Sequence, residues 1–323
     1  MKAVQDFLIS QGLLPSDPAV CPDSKLRFPD GGQYRFEIPS TESPRSLAAV
    51  IEEAEKRAVP VHRVSQGSGI LLLTSGEIRD MMTMGRQARM EVNLFIGPRA
   101  NWDTGAQAVS PAGKSLALAA RGANQLRDSL LDVVRACDLG CRSVLVSDLG
   151  TLELLGAGRA SGLLPRNLVI KTSVMMAPAN PASARLQERL GADTINVPSD
   201  LSLPQIASIR DAITKPIDFY IEAPDNIGGF IRYYELPELI RVASPVYIKL
   251  GLRNSPDVYP SGTHLDNTVI ALSRERVRRA SIAMEMIAAH CPEAAMSPLG
   301  SPDLGIPEPQ PDIRATQALG PTR

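Results

Sequence analysis

Lys171, Lys249, Glu37 and Glu222 stand where a charge is expensive. Lys171 lies in NLVIKTSV and Lys249 in SPVYIKLG, each behind β-branched apolar residues near the end of a short strand pattern. Glu222 closes DFYIE, and Glu37 lies in YRFEIPS. A charge buried in a strand costs several kcal/mol unless it is paired, so each of these needs a partner or a substrate. A lysine shut away from water beside a second cation loses basicity. It can then serve as a base near neutral pH or attack a carbonyl to form a Schiff base. Glu222 and Glu37 offer acid/base chemistry or metal ligation. The bland alternative is a set of Lys–Glu ion pairs that closes the top of the fold.

Such positions need a scaffold that brings strand ends together. From Gly191 to Arg253 three β-rich runs (Thr194–Val197, Ile217–Ile221, Val246–Leu250) alternate with two helix-like runs, each β run ending in polar, Pro or Gly residues. Upstream, the same grammar gives strands at Tyr34–Ile38, Val61–Val64, Val92–Ile96, Ser143–Val146 and Leu168–Ser173, with a last helix at Asn267–Ala289. Eight β/α units in one domain-sized chain predict a closed (β/α)8 barrel, the TIM-barrel architecture, with chemistry at the carboxyl ends of the strands. The rival is a doubly wound open sheet, but no Gly-rich dinucleotide fingerprint follows the first strand. The predicted organisation is an N-terminal extension over residues 1–33, the barrel over 34–291, and a Pro- and Gly-rich disordered tail over 292–323.

Strand periodicity adds His62, Asn93 and Asn196 as further inward polar candidates, and the adjoining loops add Arg99, Asp148, Asp225 and Arg253. In FIGPRANWD, Arg99 could hold a carboxylate or phosphate with Trp102 as a wall, or form a salt bridge that fastens the loop. His264, in YPSGTHLDN after the last strand, is a candidate hydrogen-bonding residue beside the site. No cofactor is predicted. A divalent metal on His62, His264 and Asp266 or Glu222 is the remaining alternative, without support from any HxH or HExxH spacing. QGSGILL resembles an anion-cradling loop. Cys137 and Cys141 share a helix face and read as small buried residues that pack helix on sheet.

The chain has 323 residues, 44% of them hydrophobic, and a net charge of −1. That composition predicts a globular core and excludes nucleic acid or an anionic membrane as the main partner. The N-terminal residues carry neither a basic leader nor a small-residue cleavage site, and no apolar run reaches the ~18 residues of a membrane span. Four cysteines do not form a disulfide framework. A cytoplasmic location follows as an expectation; oligomeric state is not legible.

GADTINVPSDLSLPQIASIRDAI, followed by KPIDFYIEAPDNIGGF, resembles the barrel of the peptidase U32 (collagenase-like protease) family, and HRVSQGSGILLLTSGEIRDMM and FIGPRANWDTGA extend the likeness over most of residues 34–255. The resemblance implies the barrel and a peptidase-like activity. Some members of that family look like iron–sulfur hydroxylases with four clustered cysteines late in the domain. Here only Cys137 and Cys141 lie close together and Cys291 stands alone, so no iron–sulfur cluster is expected. With no GxSxG elbow and no zincin helix, the resemblance transfers no nucleophile.

Three functional readings follow. The first is a hydrolase or lyase acting on a small polar or anionic molecule or a peptide, with Lys249 or Lys171 and Glu222 as acid/base and Arg99 and Arg253 as anion binders. The second is a Schiff-base aldolase or lyase. The third is a non-catalytic barrel that binds a ligand or partner.

Overall fold

A computed structural model of the chain describes residues 2–97, 99–100, 108, 110–111 and 118–309. Its strands are β1 (Tyr34–Pro39), β2 (Arg63–Ser65), β3 (Glu91–Phe95), β4 (Ser143–Val146), β5 (Val169–Thr172), β6 (Ile195–Asn196), β7 (Ile217–Glu222) and β8 (Val246–Leu250). The described α-helices are α1 (Lys2–Ser10), α2 (Pro44–Arg57), α3 (Ser75–Gln87), α4 (Gly122–Asp138), α5 (Leu149–Ser161), α6 (Pro181–Arg189), α7 (Leu203–Ala212), α8 (Leu236–Ala243) and α9 (Asp266–His290). All ladder pairings are parallel, in the order β5-β4-β3-β2-β1-β8-β7-β6. A single bridge, Lys171 to Thr194, joins β5 to β6, supported by Thr172 N donating to Thr194 O at 3.0 Å. The result is a nearly closed (β/α)8 barrel, as the sequence predicts.

Helix starts follow from local chemistry. Ser43 caps α2 in a capping box with Ser46, with Pro44 in the first turn, and Thr74 caps α3 in a box with Glu77. Among the described residues, no helix is long and apolar enough to cross a membrane.

Alternation along each strand sorts side chains into two layers. The outward set, including Phe36, Ile38, Leu94, Val144, Ile170 and Ile248, packs with the helices as one apolar layer. Burying each such side chain stabilises by roughly 1.5–3 kcal/mol. The inward set is polar: Arg35, Glu37, Arg63, Glu91, Lys171 and Asp218 are all fully buried. Barrels of this class ordinarily fill that space with branched apolar side chains. This one fills it with ions.

The expectation of a disordered tail fails over residues 292–309, which lie against the bottom of the barrel. Ser297 N donates to Tyr34 O at 3.2 Å, Arg35 pairs with Asp303 at 2.7 Å, and Glu308 pairs with Arg142 at 2.6 Å. Docking by backbone groups and single side chains leaves no periodicity to read. Residues 310–323 lie outside the described residues. The N-terminal extension also joins the base, where Phe28 stacks under the Arg35 guanidinium at 3.8 Å and edge-on to Tyr247 at 5.3 Å.

Candidate active site

Glu37 of β1 is the hub of the interior. Its Oε1 accepts from Lys171 Nζ in a short contact and from Ser65 Oγ at 2.8 Å, and lies 3.6 Å from Lys249 Nζ; its Oε2 lies 3.4 Å from Arg63 Nη1. Lys171 Nζ also donates to Ser65 Oγ at 3.1 Å and lies 3.7 Å from Asp218 Oδ2. Lys249 Nζ sits 4.0 Å over the Tyr220 ring. With the Asn196 amide turned so that its oxygen meets the donors, that oxygen accepts from Lys249 Nζ at 2.7 Å. Arg63 donates to Glu91 at 2.6 Å and to Asp218 at 3.2 Å, and stacks on Tyr247 at 3.6 Å. Asn93 reaches the same network by donating to Ser143 Oγ at 2.6 Å.

Three cations and three carboxylates thus share one buried space. Burial pushes the Lys171 amine down to about 7, against the Glu37 carboxylate and with the help of Lys249. Burial alone would raise Glu37, but Lys171, Lys249 and Arg63 outweigh it and hold its carboxyl well below the usual range. Burial raises Asp218, with Lys171 and Arg63 opposing. Glu37 stays compensated when Lys171 sheds its proton because Arg63 cannot shed its own. Lys171 can therefore change charge near neutral pH without leaving Glu37 uncompensated.

The structure separates Glu222 from the lysines. A register shift between Tyr220 and Glu222 turns the carboxylate out of the alternation. Tyr233 OH donates to it at 2.8 Å, Arg253 N at 3.0 Å, and Arg279 lies 3.8 Å away. The predicted Lys249–Glu222 pair is not formed, and Glu37 takes that place. Arg253 instead meets Asp225 at 3.1 Å on the exposed rim.

Other predicted binders have local duties. Asp148 caps α5, accepting from Thr151 N at 2.8 Å. Arg99 is buried, donates to Gly67 O and Ser68 O at 3.1 Å and stacks 3.8 Å over Phe95; burial lowers it to about 10. The QGSG loop does cradle an anion, but one of the protein's own: Glu42 accepts from Gly67 N at 2.8 Å and Ser68 N at 2.9 Å. A side chain at Gly67 would strike the Tyr259 ring, so the close approach needs glycine. Trp102 lies outside the described residues.

His62 sits at the opposite end of the barrel from the predicted mouth. Its Nδ1 accepts from Phe36 N at 3.1 Å and its Nε2 donates to Ser297 O at 2.8 Å, which fixes the neutral tautomer. His264 is exposed on the loop after β8, and Asp266 is engaged by Ser43 at 3.0 Å and Arg45 at 3.1 Å. The expected metal set is not brought together. Among the described residues no group of three or more His, Cys, Asp or Glu is gathered for a metal ion. Cys137 and Cys141 are buried, and burial pushes the Cys141 thiol up to about 12.

Burial lowers His62 to about 4, with the Ser297 carbonyl opposing. The unfolded histidine protonates near 6.5 and the folded one resists, so stability is full above pH ~6.5 and falls as pH drops toward ~4. The loss from this residue is on the order of 3 kcal/mol at ~1.4 kcal/mol per pH unit. Urea unfolding at a series of pH values, with NMR titration of the His62 ring, checks it; a His62 ring that titrates above pH 6 contradicts it.

No family model and no curated protein matches the sequence. Among solved structures, the U32 peptidase Mk0906 is 21% identical over 61% of this chain and 72% of its own, with a TM-score of 0.40. The putative copper homeostasis protein CutC from Streptococcus agalactiae is 14% identical over 67% of this chain and 98% of its own, with a TM-score of 0.45. A truncated 3-deoxy-D-arabino-heptulosonate 7-phosphate synthase from Thermotoga maritima is 12% identical over 85% of this chain and 95% of its own, with a TM-score of 0.43. The barrel assignment rests on the strand register described above.

Proposed function

We propose that this barrel is an enzyme of the lyase type that acts on a small carbonyl compound through the Lys171 amine. The observation that supports it is a buried lysine lowered to about 7 beside a second lysine, both facing one carboxylate. A neutral amine at physiological pH is the form that attacks a carbonyl. In that step the Lys171 nitrogen bonds to the carbonyl carbon as the C=O π pair moves to oxygen. The nitrogen gives one proton to that oxygen and solvent gives a second. The C–O bond then breaks to release water as the nitrogen lone pair completes the C=N bond of the iminium. Lys249 disfavours a second positive charge at Lys171 beforehand, and Glu37 stabilises the iminium afterwards. The hydrolase alternative loses its main support with Glu222 held by Tyr233 and Arg253.

The test is trapping with borohydride in the presence of pyruvate, and separately of glyceraldehyde, followed by peptide mass mapping. The expected adduct maps to Lys171 and grows as pH rises through about 7, because only the unprotonated amine reacts. Folded wild-type protein that gives no adduct at Lys171 from about pH 6 to about pH 9 sinks the proposal. A second reading, a non-catalytic ligand-binding barrel, is favoured by the full burial of Lys171 and its bonds to Glu37 and Ser65. The absence of adduct removes the Schiff-base reading and leaves this one standing.

A further inference from the structure

The amino-terminal end of the barrel, where no chemistry is expected, contains a cavity of about 460 Å³ between the starts of β5, β6, β7 and β8 and residues 302–304. Its volume lies in the range of small-metabolite sites. Five cations line it (Arg27, Arg63, Arg159, Arg166 and Lys215) against two carboxylates, Asp193 and Asp303. Both carboxylates are engaged: Asp303 by Arg35 at 2.7 Å, and Asp193 by Arg159 in a short contact and by Lys215 at 3.8 Å. Arg27 hydrogen-bonds backbone carbonyls and feels the Asp23 carboxylate only at a distance, and among the described residues neither it nor Arg166 forms an ion pair.

The floor makes the case stronger. Arg63 is fully buried and reaches this cavity. Its Nε and Nη1 are taken by Glu91, Glu37 and Asp218, whereas Nη2 has no acceptor among the described residues. A buried guanidinium nitrogen without an acceptor costs about 1–3 kcal/mol or more, and an oxyanion would relieve that cost. Pro216, Pro245 and the Tyr247 ring supply apolar walls. We propose that this cavity binds a small phosphate-bearing metabolite, its phosphate at Arg27, Arg166 and Arg63 and its carbon frame along the proline walls. Guanidinium forks suit phosphate, and three of them exceed what one carboxylate can use. The proposal does not need the chemistry assigned to Lys171, although Arg63 belongs to both the cavity floor and the Glu37 cluster.

The test titrates the full chain with inorganic phosphate and glycerol 3-phosphate by calorimetry and thermal unfolding, at ionic strength held constant with chloride. Succinate and glycerol serve as comparators. The expected result is saturable binding of both phosphates, and affinity lower by about tenfold or more in the double variant Arg27→Gln, Arg166→Gln. Both positions are exposed, so the variant should keep the wild-type urea midpoint, and Arg274→Gln, on another face, should bind as wild type. Unsaturable stabilisation, equal binding by the double variant, or tighter binding of succinate than of phosphate each overturns the proposal.

Discussion

Replacing Glu37 with alanine is expected to cost roughly 3–5 kcal/mol of stability, read as a fall in the urea midpoint at neutral pH. The carboxylate is fully buried and faces Lys171, Lys249 and Arg63 at once, so its removal leaves three buried cations to share Asp218 and Glu91. Lys171 can answer by shedding its proton, being already lowered to about 7, but Arg63 cannot. Glu37→Gln preserves an acceptor for Ser65 and removes only the charge. It should be nearly as damaging if charge dominates. A loss below ~1 kcal/mol in both variants, the size of an exposed pair, would mean that water reaches the cluster and that the buried-ion account is wrong.

Ending the chain after Met296 is expected to be as severe or worse. The deletion strips Arg35 of Ser297 at 3.0 Å and of Asp303 at 2.7 Å, and His62 of its acceptor at 2.8 Å. Glu91 loses Gly305 N at 3.1 Å, and Phe28 and Tyr247 lose Leu304 as a neighbour. Each orphaned buried group costs about 1–3 kcal/mol, so the total is on the order of 5 kcal/mol or more, comparable with the whole stability of many domains. The expected outcome is an aggregating or unfolded product. Asp303→Asn, which removes one charge and keeps the segment, should fold with a smaller loss. A truncated chain that melts within about 2 °C of the full one would show that residues 297–309 are not part of the folded unit.

Much of the scaffold is legible in the sequence because the strands are short runs rich in β-branched and aromatic residues bounded by Pro, Gly or polar turns. Ser143–Val146 and Val246–Leu250 are predicted to the residue. Lys171, Lys249, Glu37 and Asn93 are also found inside, since alternation works in strands long enough to fix its phase. It fails in VHRVS, where His62 is the predicted inward residue and Arg63 is the observed one. A run that short reads equally well in either phase, and a slip of one residue exchanges the faces. Glu91 escapes notice because it stands just before the predicted strand Val92–Ile96, where a charge reads as loop. Arg35 and Asp218 stand second in predicted strands, at the amino end of the barrel where no chemistry is expected. The extra residue at Tyr220–Glu222 is a tertiary accommodation that no local pattern announces. The docked segment 292–309 is missed because composition rich in Pro and Gly marks weak helix and strand propensity, which is a different property from disorder.

The shared oxygen of Glu37 shapes how this protein can change over time. Lys171, Ser65 and Lys249 all face the same atom, so no member of the set can be exchanged alone without stranding another. One-at-a-time mutagenesis of the interior should therefore find almost every path closed. A combinatorial library that replaces Glu37, Lys171 and Lys249 together with apolar residues of similar volume should recover folded barrels, since trading a buried ion set for hydrocarbon is often neutral or favourable. Descendants of this sequence would be expected to keep the ionic interior whole or to abandon it in one concerted step.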